Sequence, residues 1–169
     1  MKKAIVFILL AVIVVGCTLP AVNVFSFEET RTDKPTRFYL KMKNDKDFSI
    51  VFTHTIHLTD VVENYRALSD GNIQLVSMQY SDVAIGMPAY AEEGQTLIYE
   101  DGLYTLMYNN EKLREFNLYI GAVDYELQLQ YEAQRYNLKE QLQKGHSYTF
   151  SIERISILEY LKGEKIDEQ

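Results

Sequence analysis

Alternation of apolar and polar residues recurs along most of this chain. A side-chain period of two belongs to a strand with one face in a core and the other toward water. Phe38, Leu40 and Met42 alternate with Tyr39, Lys41 and Lys43, and Phe48, Ile50 and Phe52 with Ser49, Val51 and Thr53. Leu127, Leu129 and Tyr131 alternate with Glu126, Gln128 and Gln130, and Tyr148, Phe150 and Ile152 with Ser147, Thr149 and Ser151. Further strands are predicted over 22–27, 73–80, 96–99, 103–108 and 116–120. Asn44-Asp45, Asp70-Gly71-Asn72, Asp101-Gly102, Asn109-Asn110 and Lys144-Gly145 punctuate them with turn chemistry. Asp101-Gly102 predicts a tight hairpin, because glycine supplies the positive φ that such turns need. The expected fold is all-β, an antiparallel sandwich or an open barrel.

One short helix is expected near the C-terminus. Ile155, Leu158 and Leu161 recur at three-residue spacing, with Gly163 as a stop. Its apolar stripe would cap an open end of the sheet or cover an edge. The tail 164–169 is expected to fray. No repeat or interior linker divides the chain, so 21–163 reads as one domain.

The first 20 residues form a separate element. Lys2 and Lys3 precede the apolar run 4–15, followed by Gly16-Cys17. A basic start before an apolar run is the pattern of an export signal, with the positive flank held on the cytoplasmic side. Two fates fit. Val14-Val15-Gly16-Cys17 reads as a lipobox, with Cys17 as the lipidated residue of a lipoprotein. Alternatively the segment stays uncut and spans the bilayer once, extended by Pro20-Ala21-Val22 toward the roughly 20 apolar residues that a span needs. Either fate predicts a domain outside a bacterial cell membrane, tethered through its N-terminus; a cleaved and released protein is a third reading.

Cys17 is the only cysteine, so the domain must fold without an internal disulfide. All 24 acidic residues lie from Glu28 onward, and two of the 17 basic ones sit in the first three positions. The body is therefore more acidic than the net −7 of the whole chain. That balance excludes nucleic acid as an expected partner, since phosphate neutralisation needs clustered Lys and Arg.

The segment 52–65 holds two of the three histidines, His54 and His57, with Glu63 downstream. In an extended strand positions 54 and 57 face opposite ways, so they share a ligand only if the chain turns near 56–58. Three readings stay open. His54, His57 and Glu63 suit zinc as two imidazoles and a carboxylate. His54, in phase with Phe48, Ile50 and Phe52, suits a buried polar network with Thr55, Glu63 or backbone. The same residues with tyrosines suit a ligand pocket. A second segment, 80–94, is a long connection broken by Gly86 and Pro88, fit for a functional loop or for an Ω-like closure of one end of the sandwich. No nucleophile elbow, phosphate loop or His-Glu-x-x-His motif occurs, and no cofactor is called for.

Residues 48–63, with Thr53-His54-Thr55 and then Val61-Val62-Glu63-Asn64-Tyr65, resemble the DUF1850 family. Gly86-Met87-Pro88 and the run Leu142, Gly145, Tyr148-Thr149-Phe150 add to the resemblance, which extends over roughly 22–152. It marks Thr53, His54, Thr55, Glu63, Tyr65, Gly86 and Pro88 as candidate ligand-binding residues. It implies an accessory protein of tripartite solute transporters of the TAXI class, with the permease or solute receptor as partner. The expectation is a membrane-tethered extracytoplasmic binding or accessory protein rather than an enzyme. The alternatives are a metal-assisted hydrolase using His54, His57 and Glu63, and a structural envelope protein.

Overall fold

The structure is a computed structural model describing residues 3, 5, 7, 15–83 and 86–167. Most of the expected anchor or signal, including Val14 of the lipobox, lies outside the described residues. Residues 15–18 are helical, and Cys17 is a half-buried free thiol. Among the described residues no helix is long and apolar enough to cross a membrane.

The domain is all-β, built from two sheets that do not close into a barrel. The smaller sheet contains β1 (Pro20–Glu29), β2 (Arg37–Lys41), β9 (Glu115–Tyr119), β12 (Ser147–Ser156) and β13 (Glu164–Lys165), in the order β13-β2-β1-β12-β9. The larger contains β3 (Asp47–Thr53), β4 (Asp60–Ala67), β5 (Ile73–Tyr80), β6 (Gln95–Glu100), β7 (Leu103–Tyr108), β10 (Leu127–Tyr131) and β11 (Gln134–Asn137). Its order is β11-β10-β3-β4-β5-β7-β6, and a short β8 (Lys112–Leu113) also pairs with β5. Pairing is antiparallel except between β13 and β2.

The inner faces meet in an aromatic core. Phe25 of β1 lies 4.9 Å from the Phe48 ring and 5.0 Å from the Tyr131 ring across the gap, and 5.7 Å from Phe150 beside it. Phe25, Phe27, Ile50, Leu129 and Phe150 are fully buried. Burying each such side chain contributes about 1.5–3 kcal/mol, the main term opposing chain entropy in a chain without disulfides.

The predicted strands 73–80 and 103–108 match their elements residue for residue. The Asp101-Gly102 hairpin also forms, with φ of 52° and 82° at its two central residues. β4 is a strand the periodicity reading passed over. The chain does turn near 56–58, between β3 and β4. The His54 N–H donates to the Thr59 carbonyl at 2.8 Å, the Leu58 N–H donates to the His54 carbonyl at 2.9 Å, and Leu58 takes a positive φ of 56°.

Two expectations at the C-terminus are corrected. The helix runs Ile157–Lys162 and stops at Gly163, but it lies on the outer face of the smaller sheet. Only Tyr160 packs inward, against Val22, Val24, Tyr39 and Ile155, while Ile157, Leu158 and Leu161 are exposed. The described part of the tail does not fray. β13 pairs with β2, the Ile166 N–H donates to the Tyr39 carbonyl at 3.1 Å, and Ile166 is buried in the main core. Gly163 permits this return, because a methyl there would run into the Tyr39 ring.

Candidate functional site

Where β9 and the following loop 120–126 leave the smaller sheet, they stand away from β3 and β4 and open a cleft of about 730 Å³. Ile50 and Tyr65 form its floor, Phe116 and Leu118 a wall, and Tyr119 and Tyr125 its rim. The loop is fixed from behind. Ile120 is fully buried, its N–H donates to the His146 carbonyl at 2.9 Å, and its carbonyl accepts from the Gly145 N–H at 2.6 Å. Thr53 secures the mouth, its hydroxyl donating to Asp60 Oδ1 at 3.2 Å and accepting from the Glu126 N–H at 3.3 Å.

Glu63 is the unusual residue of this lining. β4 registers Val61, Glu63 and Tyr65 opposite Phe52, Ile50 and Phe48, so all share the inward face. The Tyr65 hydroxyl donates to Glu63 Oε2 at 2.7 Å. The Tyr65 ring is clamped between Phe48 and Phe116, at 5.3 and 5.2 Å. Burial pushes the Glu63 carboxyl above its ordinary range, and the Tyr65 bond only partly opposes that shift. Burial and the neighbouring Glu63 charge push the Tyr65 phenol up in turn. No lysine, arginine or histidine among the described residues forms an ion pair with Glu63. The lysine of the lining, Lys139, donates instead to the Val123 carbonyl.

The residues singled out from the sequence fall in three places. Thr53, Thr55, Glu63 and Tyr65 line the cleft. Gly86 and Pro88 line a separate groove with Tyr90 and Tyr108. There the Tyr80 hydroxyl donates to the Pro88 carbonyl at 2.6 Å and Met87 packs on Tyr80 and Leu106, so this loop covers the far end of the larger sheet. His54 and His57 sit on the β3–β4 turn with ring centroids 5.8 Å apart. His57 Nδ1 pairs with Asp82 at 3.0 Å, while Glu63 turns to Tyr65. The histidines and Glu63 therefore do not converge. Among the described residues no group of three or more His, Cys, Asp or Glu is placed to hold a metal ion. His54 does not form the expected side-chain network through Nδ1, which is buried without a hydrogen-bond partner.

Phe116, Leu118, Tyr119, Tyr125 and Lys139 were not legible as site residues. Phe116, Leu118 and Tyr119 are brought there by the β9–β12 pairing, which joins residues some 30 positions apart in sequence, such as Phe116 and Phe150, while Tyr125 precedes β10 and Lys139 follows β11 in the larger sheet. Glu63 had a local signal beyond the motif, its phase with Val61 and Tyr65.

A family model described as "Domain of unknown function (DUF1850)" matches residues 48–138. The chain belongs to the DUF1850 family. The matched segment is shorter than the 22–152 expected and leaves out the Leu142–Phe150 run. It contains every residue lining the cleft except Lys139, so the cleft is a feature of the DUF1850 region itself. Neither the curated proteins nor the solved structures hold a match to the chain.

Proposed function

We propose that this DUF1850 domain is a binding module that takes a small, largely apolar ligand between its two sheets. The observation that carries the reading is the cleft itself: a largely apolar, aromatic lining with a few polar groups, among them the hydrogen-bonded pair Glu63 and Tyr65 on its floor. Small-molecule sites have this composition, with apolar walls for affinity and a few placed polar groups for orientation. Two other grooves of similar size are lined mainly by polar and charged side chains such as Asp47, Arg66 and Arg135, or Asp45, Asp70 and Arg154. Binding rather than catalysis is favoured because Glu63 has a phenol for a partner, and among the described residues no group of three or more His, Cys, Asp or Glu is placed to hold a metal ion.

The basic start and apolar run of the first 20 residues support export and tethering at the outer face of a bacterial membrane. The family resemblance supports a role as an accessory to a tripartite solute transporter. Tethering would raise the effective concentration of the domain near such a partner. Recovery of a permease or solute receptor by gentle-detergent pull-down supports that role; recovery of neither counts against it.

The binding reading is tested with 1-aminoanthracene, an apolar fluorophore. Saturable enhancement is expected with the native protein. Ala122→Trp, which places a large ring at the mouth, is expected to weaken it about tenfold. Binding of equal strength in both proteins overturns the reading.

A further inference from the structure

The floor of the cleft carries an uncompensated acid. Glu63 faces inward from the middle of β4, accepts one hydrogen bond from Tyr65, and forms no ion pair among the described residues. A second carboxylate, Glu126, lines the same cleft, and the single lysine of the lining is committed to a backbone carbonyl. Glu63 is half-buried, and a partly desolvated carboxyl without a cation is unfavourable, so a ligand that supplies the cation relieves that penalty on binding. The rim points the same way. Tyr119 and Tyr125 bring aromatic rings to the rim of the cleft, where ring faces attract cations through their quadrupole, while the faces of Tyr65 and Phe116 are taken up by stacking on each other and on Phe48 and Phe150. The net charge of −7 adds a field that draws cations toward the protein.

Resting on the binding reading above, we infer that the ligand is an organic amine, a protonated nitrogen on an apolar body, with Glu63 as its counter-ion. The nitrogen sits at the Glu63 carboxylate and the body lies against the Phe116 and Leu118 wall. Tyr65 is a positioning residue that holds the carboxylate through its hydroxyl. Raised proton affinity at Glu63 fits a site whose charge is completed by its ligand. An amine bound there stabilises the ionised carboxyl.

Three isosteric probes separate charge from shape: phenethylamine, 2-phenylethanol and phenylacetate, titrated calorimetrically into the full-length protein at pH 7. The amine is expected to bind at least tenfold more tightly than the alcohol, and the acid most weakly. In Glu63→Gln the difference between amine and alcohol is expected to shrink below threefold while alcohol binding persists. Equal binding of the three, a preference for the alcohol or acid, or an amine preference that survives Glu63→Gln overturns the amine assignment and leaves the cleft reading standing. Absence of binding by all three overturns both.

Discussion

Glu63 and Phe25 show what single side chains contribute to this domain. Phe25 is fully buried at the crossing of the two sheets, touching the rings of Phe48, Tyr131 and Phe150. Phe25→Ala leaves a ring-sized cavity and is expected to cost about 3–5 kcal/mol in urea denaturation. Glu63 acts in the opposite sense. Its folded-state proton affinity is raised above the ordinary value of 4.5 by burial. The folded state therefore holds the proton more tightly than the unfolded chain. The stability this contributes is complete below pH 4.5 and is lost as pH climbs through the folded value. The titratable groups beside it, Tyr65 and Tyr108, are themselves pushed up and stay neutral across that window. Glu63→Gln keeps an acceptor for Tyr65 and removes the charge. It is expected to be more stable than the native protein at pH 7–8, with the advantage closing toward pH 4, measured as urea midpoints across the range. A native protein more stable than the variant at pH 8 contradicts this.

At the level of elements, the legible strands were those whose alternation is uninterrupted and whose turns carry Gly, Asn or Asp. The 73–80 and 103–108 strands and the Asp101-Gly102 hairpin met both conditions. β11 met neither. Its hairpin turn is Glu132-Ala133, with φ of 48° and 61°, where glycine or asparagine is the usual signal. Glu132 is held there by accepting from the Asn44 and Asp45 backbone N–H groups at 3.0 and 3.2 Å. Ala133 has no such compensation, so Ala133→Gly is expected to stabilise by about 0.5–1 kcal/mol, scored by thermal unfolding. β13 was missed because a two-residue strand has no periodicity to read; it is set by Ile166 packing and the parallel pairing with β2. Ile166→Ala is expected to cost about 2–5 kcal/mol in urea, whereas a frayed tail would register almost nothing. The helix Ile157–Lys162 was legible in place but not in orientation. Three-residue spacing marks a stripe, yet Tyr160 alone turns to the sheet.

Across the whole molecule, the candidate site was half legible. The acid and phenol of the cleft floor lie on one strand, two residues apart, and the motif marked them. The wall is made by chain distant in sequence, brought in by sheet pairing, and no local pattern encodes it. The acidic surface predicts one further behaviour. If the ligand is a cation drawn by the net charge of −7, its association rate falls as salt is raised. Stopped-flow measurement of phenethylamine association at about 0.02 M and 0.2 M salt is expected to show a several-fold decrease, and a rate independent of salt removes electrostatic steering from the account.

The central claim is that ligand enters between the sheets at Glu63. Nuclear magnetic resonance of ring-labelled tyrosine and phenylalanine in the full-length protein, titrated with phenethylamine, tests it most directly. The account predicts saturable shifts concentrated at Tyr65, Phe116, Tyr119 and Tyr125. Shifts confined to Tyr90 or Tyr131, or no saturable shift at all, contradict it.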